Sequence, residues 1–158
     1  MIKVRRGVFE TNSSSTHSIC ITKSDLNINF PESITFSVGD FGWEEDKLFD
    51  HYEKASYLYT AIMCLYDKKE QQKFIDFIVK TLDKNNIDYR FVPIGSEYYG
   101  IDHCSELREV VELICHSEKR LLRYLFSEES FILTGNDNND SCVEINVTYK
   151  HETYYKGN

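Results

Sequence analysis

At 158 residues and 18.6 kDa the chain has the size of one domain, able to bury about two thirds of the surface that its unfolded form exposes. With 41% hydrophobic, 14% aromatic and 28% charged residues, and only two prolines and seven glycines, the composition excludes a disordered segment or a linker-rich array. The formal charge of -8 argues against nonspecific binding to DNA or RNA, which draws its affinity from neutralising phosphates, and no apolar run approaches the roughly 20 residues that span a bilayer.

Ile2-Lys3-Val4-Arg5 and Ile19-Cys20-Ile21-Thr22 have strand character, and between them lies the hydroxyl-rich run Glu10-Thr11-Asn12-Ser13-Ser14-Ser15-Thr16-His17-Ser18. Ser33 to Val38 alternates apolar and hydroxyl residues, the pattern of a strand with one buried face, and Gly39 to Gly42 breaks it. From Glu44 to Tyr66 the spacing Leu48, Tyr52, Ala55, Leu58 or Tyr59, Ile62, Tyr66 predicts the longest helix, with Glu44-Glu45-Asp46 in an acidic first turn and Leu48, Leu58 and Ile62 packed against a sheet that contains the 33–38 strand. Trp43 would staple its start. A second helix is predicted over roughly 70–82 on Phe74, Ile75, Ile78 and Leu82, followed by a short strand over 87–92 that Pro93 ends.

Ser105 can cap a helix running to Cys115, and Ser117 another that carries Leu121, Leu122 and Leu125. Strands over 130–134 and 143–149 follow, joined by the Gly135 to Ser141 loop, and the residues from His151 read as a frayed tail. Strands at both ends with helices between them predict a single α+β domain over residues 1–158, with about four helices on one face of a largely antiparallel sheet.

The serine tract is the main concentration of polar chemistry. Consecutive backbone N-H groups with the side chains of Asn12, Ser13, Ser14, Ser15 and Thr16, and Arg5 or Arg6 close by, could surround an anion; the glycine pattern and lysine of a P-loop are missing. The surrounding residues 1–23 are locally basic at +3, against -11 for the rest of the chain. His17 could act as a general base for a neighbouring serine, although a triad needs a positioned third group. Asp102-His103, ahead of a helix, offers a second acid-base pair.

Asn136, Asp137 and Asn138 are ligand candidates in a loop that lacks the central glycine and distal glutamate of an EF-hand, and an ordinary hairpin turn, which needs no metal, is the favoured reading of it. His103-Cys104 and Cys115-His116 look like metal ligands, but an intervening helix would hold the pairs roughly 18 Å apart at 1.5 Å of rise per residue. Neither a metal nor a cofactor is therefore expected. Five cysteines, an odd number, together with the lack of an N-terminal leader suit a reducing cytoplasm. If His17, His103 and Asp102 are site residues, the tract, the Asp102-His103 step and the 136–138 loop should converge, with His17 exposed enough that its loss hardly changes stability.

The segments Arg6-Gly7-Val8-Phe9-Glu10-Thr11-Asn12-Ser13-Ser14-Ser15-Thr16-His17-Ser18, Phe41-Gly42-Trp43-Glu44, Lys54-Ala55-Ser56-Tyr57-Leu58-Tyr59-Thr60, Gly100-Ile101-Asp102-His103 and Thr134-Gly135-Asn136-Asp137-Asn138 span most of the chain. Through them the chain resembles a group of uncharacterised proteins of phages, prophages and low-GC bacteria, in which Gln stands at the place of Cys104. The resemblance implies a setting and no chemistry: accessory proteins of mobile elements commonly bind and block host machinery.

The expectation is a phage-type accessory protein in the host bacterial cytoplasm that binds and modulates a host protein, most concretely as an inhibitor of a host defence system such as an anti-CRISPR. Its partner would be a defence or nucleic-acid-binding protein, with no direct contact to nucleic acid or membrane, and a homo-oligomer stays open. The alternative is a small enzyme or sequestering protein acting on a phosphorylated metabolite, nucleotide or signalling molecule. An exposed apolar and acidic patch would favour the first, and a concave polar pocket the second.

Overall fold

Two parallel chain segments and one antiparallel sheet organise the molecule. The computed structural model describes residues 15–25, 28–42, 44–102, 107–136 and 151–157. Strand β1 (Ser15–Thr22) lies inside a four-stranded antiparallel sheet, between β7 (Phe131–Asn136) and β8 (His151–Gly157), and β4 (Asp46–Leu48) pairs with the far edge of β7. Ile19, Cys20 and Ile21 of β1 are all buried, as befits an interior strand, and the register on β8 shifts between Ile19 and Cys20. The residues from His151, expected to fray, instead form β8: Thr153, Tyr154 and Tyr155 favour extended backbone, and the second edge of β1 supplies their hydrogen-bond partners.

Outside this sheet, β2 (Ser33–Phe36) pairs in parallel with β5 (Asp88–Phe91), and β3 (Asp40–Phe41) in parallel with β6 (Gly100–Ile101). Parallel partners need a long crossover, which helices α1 (His51–Leu65) and α2 (Lys68–Lys84) provide. On β2 the alternation works as read: Ile34 and Phe36 are buried, with Phe36 stacked on Phe91 at a centroid distance of 4.7 Å, while Ser33 faces solvent.

Helix α1 begins later than its periodicity predicts. Asp46 to Leu48 pairs with Ile132 to Thr134 of β7, so the acidic residues 44–46 precede the helix, and Asp50 caps it. Asp50 Oδ1 accepts the Tyr52 N-H at 2.7 Å and Glu53 Oε2 accepts the Asp50 N-H at 3.2 Å, a reciprocal capping box. With 15 residues, α1 is shorter than the 17-residue α2, which overturns the expectation that it would be the longest helix. Its packing is as expected, with Leu58 and Ile62 buried against β2 and Leu48 buried below it, but Tyr52 leaves the predicted stripe and points outward.

Asp67 caps α2 through the Lys69 and Glu70 N-H groups, and Gln71 Nε2 donates to the Tyr66 carbonyl at 2.7 Å, closing the end of α1. Helix α3 (Arg108–Ile114) buries Val110, Val111 and Ile114. Helix α4 (Glu118–Phe126) is capped by Ser117, as expected, and buries Leu121, Tyr124 and Leu125. One core cluster joins β1, β2, α1, α2, α3 and α4, and the fold is α+β with four helices among the described residues and a largely antiparallel sheet. No helix among these residues is long and apolar enough to cross a membrane. The predicted strands over 2–5 and 143–149, Trp43 and the Ser105 cap lie outside the described residues.

Tyr57, Tyr59 and Tyr66 are core residues, and Cys20 and Cys115 are buried while Cys64 is exposed. Burial pushes the Cys115 thiol up to about 12, leaving almost no thiolate at neutral pH. A thiol reagent at neutral pH is therefore expected to label Cys64 of the native protein quickly and Cys115 only upon unfolding. Peptide mapping that found both modified at the same rate would contradict the packing of α3.

Candidate functional site

The topology carries His17 and Asp102 to the same place. Residues 33–36 pair with 88–91 and residues 40–41 with 100–101, both in parallel, and hydrogen bonds flank the second pair: the Gly100 N-H donates to the Gly39 carbonyl at 3.0 Å and the Asp102 N-H to the Phe41 carbonyl at 2.9 Å. Asp102 thus lies beside Gly42. From the other side, His17 of β1 pairs with Thr134 of β7. Thr134 Oγ1 donates to the Glu44 carbonyl at 2.9 Å and accepts the Asp46 N-H at 3.3 Å, which draws the 42–46 turn over the end of the sheet.

At this junction His17 is fully buried, with 0% of its surface exposed. Nε2 lies 2.9 Å from the Asp102 carbonyl oxygen and Nδ1 lies 3.0 Å from the Tyr57 hydroxyl. A carbonyl can only accept, so Nε2 carries the proton, and in the neutral ring the Tyr57 hydroxyl donates to Nδ1. The backbone of Gly42 closes against the same imidazole with φ +94, and a Cβ there would stand 2.7 Å from His17 Cε1. The ring therefore bolts together β1, α1 and the turn after β6. An imidazole engaged at both nitrogens and shut off from solvent is poorly placed to take a proton from an incoming substrate.

Several predicted site residues do gather at this end of the sheet. Ser15 pairs with Asn136 and Thr16 with Gly135 in the β1–β7 ladder, two and one residues from His17. The run that the sequence places between two strands is thus, from Ser15 onward, itself part of a strand. The expectation that His17 is exposed is corrected: the β pattern places its side chain on the face that α1 covers, where Tyr57 meets it. Arg5, Arg6, Asn12, Ser13, Ser14, His103, Asp137 and Asn138 lie outside the described residues. Among the described residues no group of three or more His, Cys, Asp or Glu side chains is arranged to hold a metal ion.

A second feature was not foreseen from the sequence. The first turn of α1, the end of α4, the start of β7 and the 28–31 segment expose a run of aromatic rings. Phe30, Phe49 and Tyr52 are 48%, 48% and 46% exposed. Beneath them, Phe30 meets Phe126 edge-on at 5.6 Å, His51 lies 6.3 Å from Phe126 and 4.2 Å from Tyr52, and Phe49 lies 5.3 Å from Phe131. Asp25 and Ile28 are tied to the α4 end here: Asp25 bridges Arg123 at 2.7 Å and Lys119 at 2.8 Å, cations that hold its carboxyl below the usual range, and Ile28 forms a bridge to Ser127.

The base of this surface is a buried lysine. Lys54 is 1% exposed, and its Nζ donates to the carbonyls of Ser127 at 2.8 Å and Ser130 at 2.9 Å, while its own carbonyl accepts the Tyr124 hydroxyl at 2.8 Å. Ser127 ends α4, so the ammonium satisfies a carbonyl that helix geometry leaves open. Burial lowers the Lys54 pKa from its usual 10.5 to about 8, against the opposing pull of Asp50, Glu128 and Glu53. Those three carboxylates are solvent-exposed and border the aromatic rings. The one signal available in the sequence was Phe49-Asp50-His51-Tyr52, a cluster of rings around a helix cap.

Comparison with known proteins finds no matching family, no matching curated protein and no matching solved structure.

Proposed function

We propose that this protein works by binding another protein, as a phage-type accessory protein that modulates a host protein in the bacterial cytoplasm, with inhibition of a host defence system as its most concrete form. The observation that carries this reading is a contrast between the two polar regions. The imidazole best placed for chemistry, His17, is sealed in the interior with both nitrogens engaged. The aromatic rings of Phe30, Phe49 and Tyr52 stand open to solvent among carboxylates. Exposed apolar clusters with a polar rim are the usual mark of a protein-binding surface. The same negative charge disfavours a direct approach to nucleic acid or to an anionic membrane surface.

The test is biological. Expressed in a bacterium with an active defence system, the protein is expected to raise the plating efficiency of a restricted phage, with no effect in a strain lacking that system. A panel of defended strains in which plating never changes, together with turnover or stoichiometric retention of a phosphorylated small molecule by the purified protein, would move the function to the enzyme or sequestration class.

A further inference from the structure

We infer that the surface formed by Phe30, Phe49, His51 and Tyr52 is the docking face, and that its occupant is an arginine-bearing face of a partner protein. This deepens the binding reading and rests on it. Three observations converge on that occupant. The first is the chemistry of the rings: aromatic faces exposed on a rigid base attract guanidinium groups, which stack on them while their charge stays partly solvated.

The second is charge complementarity. Asp50 and Glu53 on the first turn of α1 and Glu128 after α4 border the rings, and the nearby Lys54 ammonium is consumed internally by Ser127 and Ser130. On the Phe30 side Lys119 and Arg123 are paired with Asp25, and on the α1 side the carboxylates of Asp50, Glu53 and Glu128 leave the rim negative around the apolar centre, which favours an arginine-rich surface with an apolar anchor over an acidic one. The third is His51. Its Nε2 is buried beneath the rings and has no hydrogen-bond partner among the described residues. Such an atom is rare in a finished interior and leaves one hydrogen bond for a partner to supply.

The helix cap and the lysine beneath explain why this face can serve as a binding platform. The capping box fixes the angle at which Phe49 and Tyr52 leave the fold, and Lys54 fixes the turn that carries Glu128. Little backbone ordering is left to be done upon association, so the contact energy goes into affinity.

The full-length protein is titrated into a fluorescein-labelled peptide of alternating arginine and leucine, and into a matched peptide with glutamate in place of arginine, by fluorescence anisotropy. Binding of the arginine peptide alone is expected. The double variant Phe49→Ser/Tyr52→Ser should weaken it about tenfold or more, as for loss of central aromatic anchors, and Glu128→Lys should weaken it and flatten its salt dependence. Tyr98→Ser, at an exposed tyrosine on the segment between β5 and β6, is the control and should bind as the wild type does. Circular dichroism should show all variants folded, because each changed side chain is exposed.

Equal binding by the double variant, or equal binding of the glutamate peptide, would overturn the inference. So would sedimentation showing that the wild type self-associates through Phe49 and Tyr52, since the occupant is then a second copy of the chain. The plating experiment separates the two readings: a double variant that loses the peptide but still rescues the phage removes the docking face and keeps the function, whereas patch-dependent binding with no plating effect in any defended strain does the reverse.

Discussion

Gly42→Ala is expected to destabilise the protein by about 3 kcal/mol, from a left-handed backbone that an L side chain resists and a methyl group forced onto a ring with nowhere to go. At φ +94 the backbone alone disfavours alanine, and the new Cβ would lie 2.7 Å from His17 Cε1, 3.0 Å from Nε2 and 3.2 Å from Asp102 Cβ. The imidazole cannot swing aside without giving up its bonds to Tyr57 and Asp102. For a chain of this length the loss corresponds to a fall in Tm of roughly 6–12 °C.

His17→Ala should also cost about 3 kcal/mol, since it opens a cavity and takes a hydrogen-bond partner from the Tyr57 hydroxyl and from the Asp102 carbonyl. Combined, the two substitutions should cost less than their sum by more than about 1 kcal/mol, because the alanine methyl occupies space that the imidazole has vacated. Strict additivity in denaturant titrations would refute the close approach. Neither change touches the aromatic face, so peptide binding well below the Tm should persist.

Lys54→Ala is expected to cost on the order of 3 kcal/mol at pH 7, because it opens a cavity and takes the ammonium donor from the Ser130 carbonyl and from the Ser127 carbonyl, which keeps only the Ser130 N-H; Lys54→Met should cost somewhat less because it fills the space. The same lysine should give the protein an unusual pH profile. Below about pH 8 the ammonium is charged in both folded and unfolded chains and its burial penalty is fully present; between pH 8 and 10.5 the folded chain sheds the proton while the unfolded chain keeps it. Stability from this group therefore rises with pH across that window, by on the order of 3 kcal/mol in all.

Cys115 works in the opposite direction. Its folded thiol titrates at about 12 against an ordinary value of 9, so it withdraws stability above pH 9 as the unfolded thiol ionises. The net expectation is a Tm that climbs from pH 7.5 to 9, with the climb absent in Lys54→Met, and that falls from about pH 10 as the phenols of Tyr66 and Tyr124, which burial keeps protonated in the folded chain, ionise in the unfolded one. Parallel profiles for wild type and variant would mean that the ammonium is not buried against those two carbonyls.

Local pattern alone was enough to find much of the fold. The alternation of Ser33 to Phe36, the stripe of Phe74, Ile75, Ile78 and Leu82, and the Ser117 cap are decided within a few residues of chain, by periodicities of two and 3.6 and by a side-chain oxygen that satisfies a free N-H. The α+β class follows from the order of such elements. What pairs with what is another matter, because strand partners are chosen by contacts between residues far apart in sequence. Asp46 to Leu48 carries a passable helical pattern and still joins β7, and His151 to Gly157 looks like a loose tail until the edge of β1 is there to receive it.

The same holds for the two polar regions. The serine tract announced His17, and only the parallel pairing of β3 with β6, together with α1, places Asp102 and Tyr57 at its two nitrogens and turns a candidate base into a structural bolt. Tyr52 fits the stripe of α1 by spacing, yet the cap at Asp50 and the pairing of β4 set where that helix starts and which way it faces. Burial is a property of the assembled surface, so the exposure of Phe30, Phe49 and Tyr52 around a buried Lys54 was settled by tertiary packing and not by any one segment.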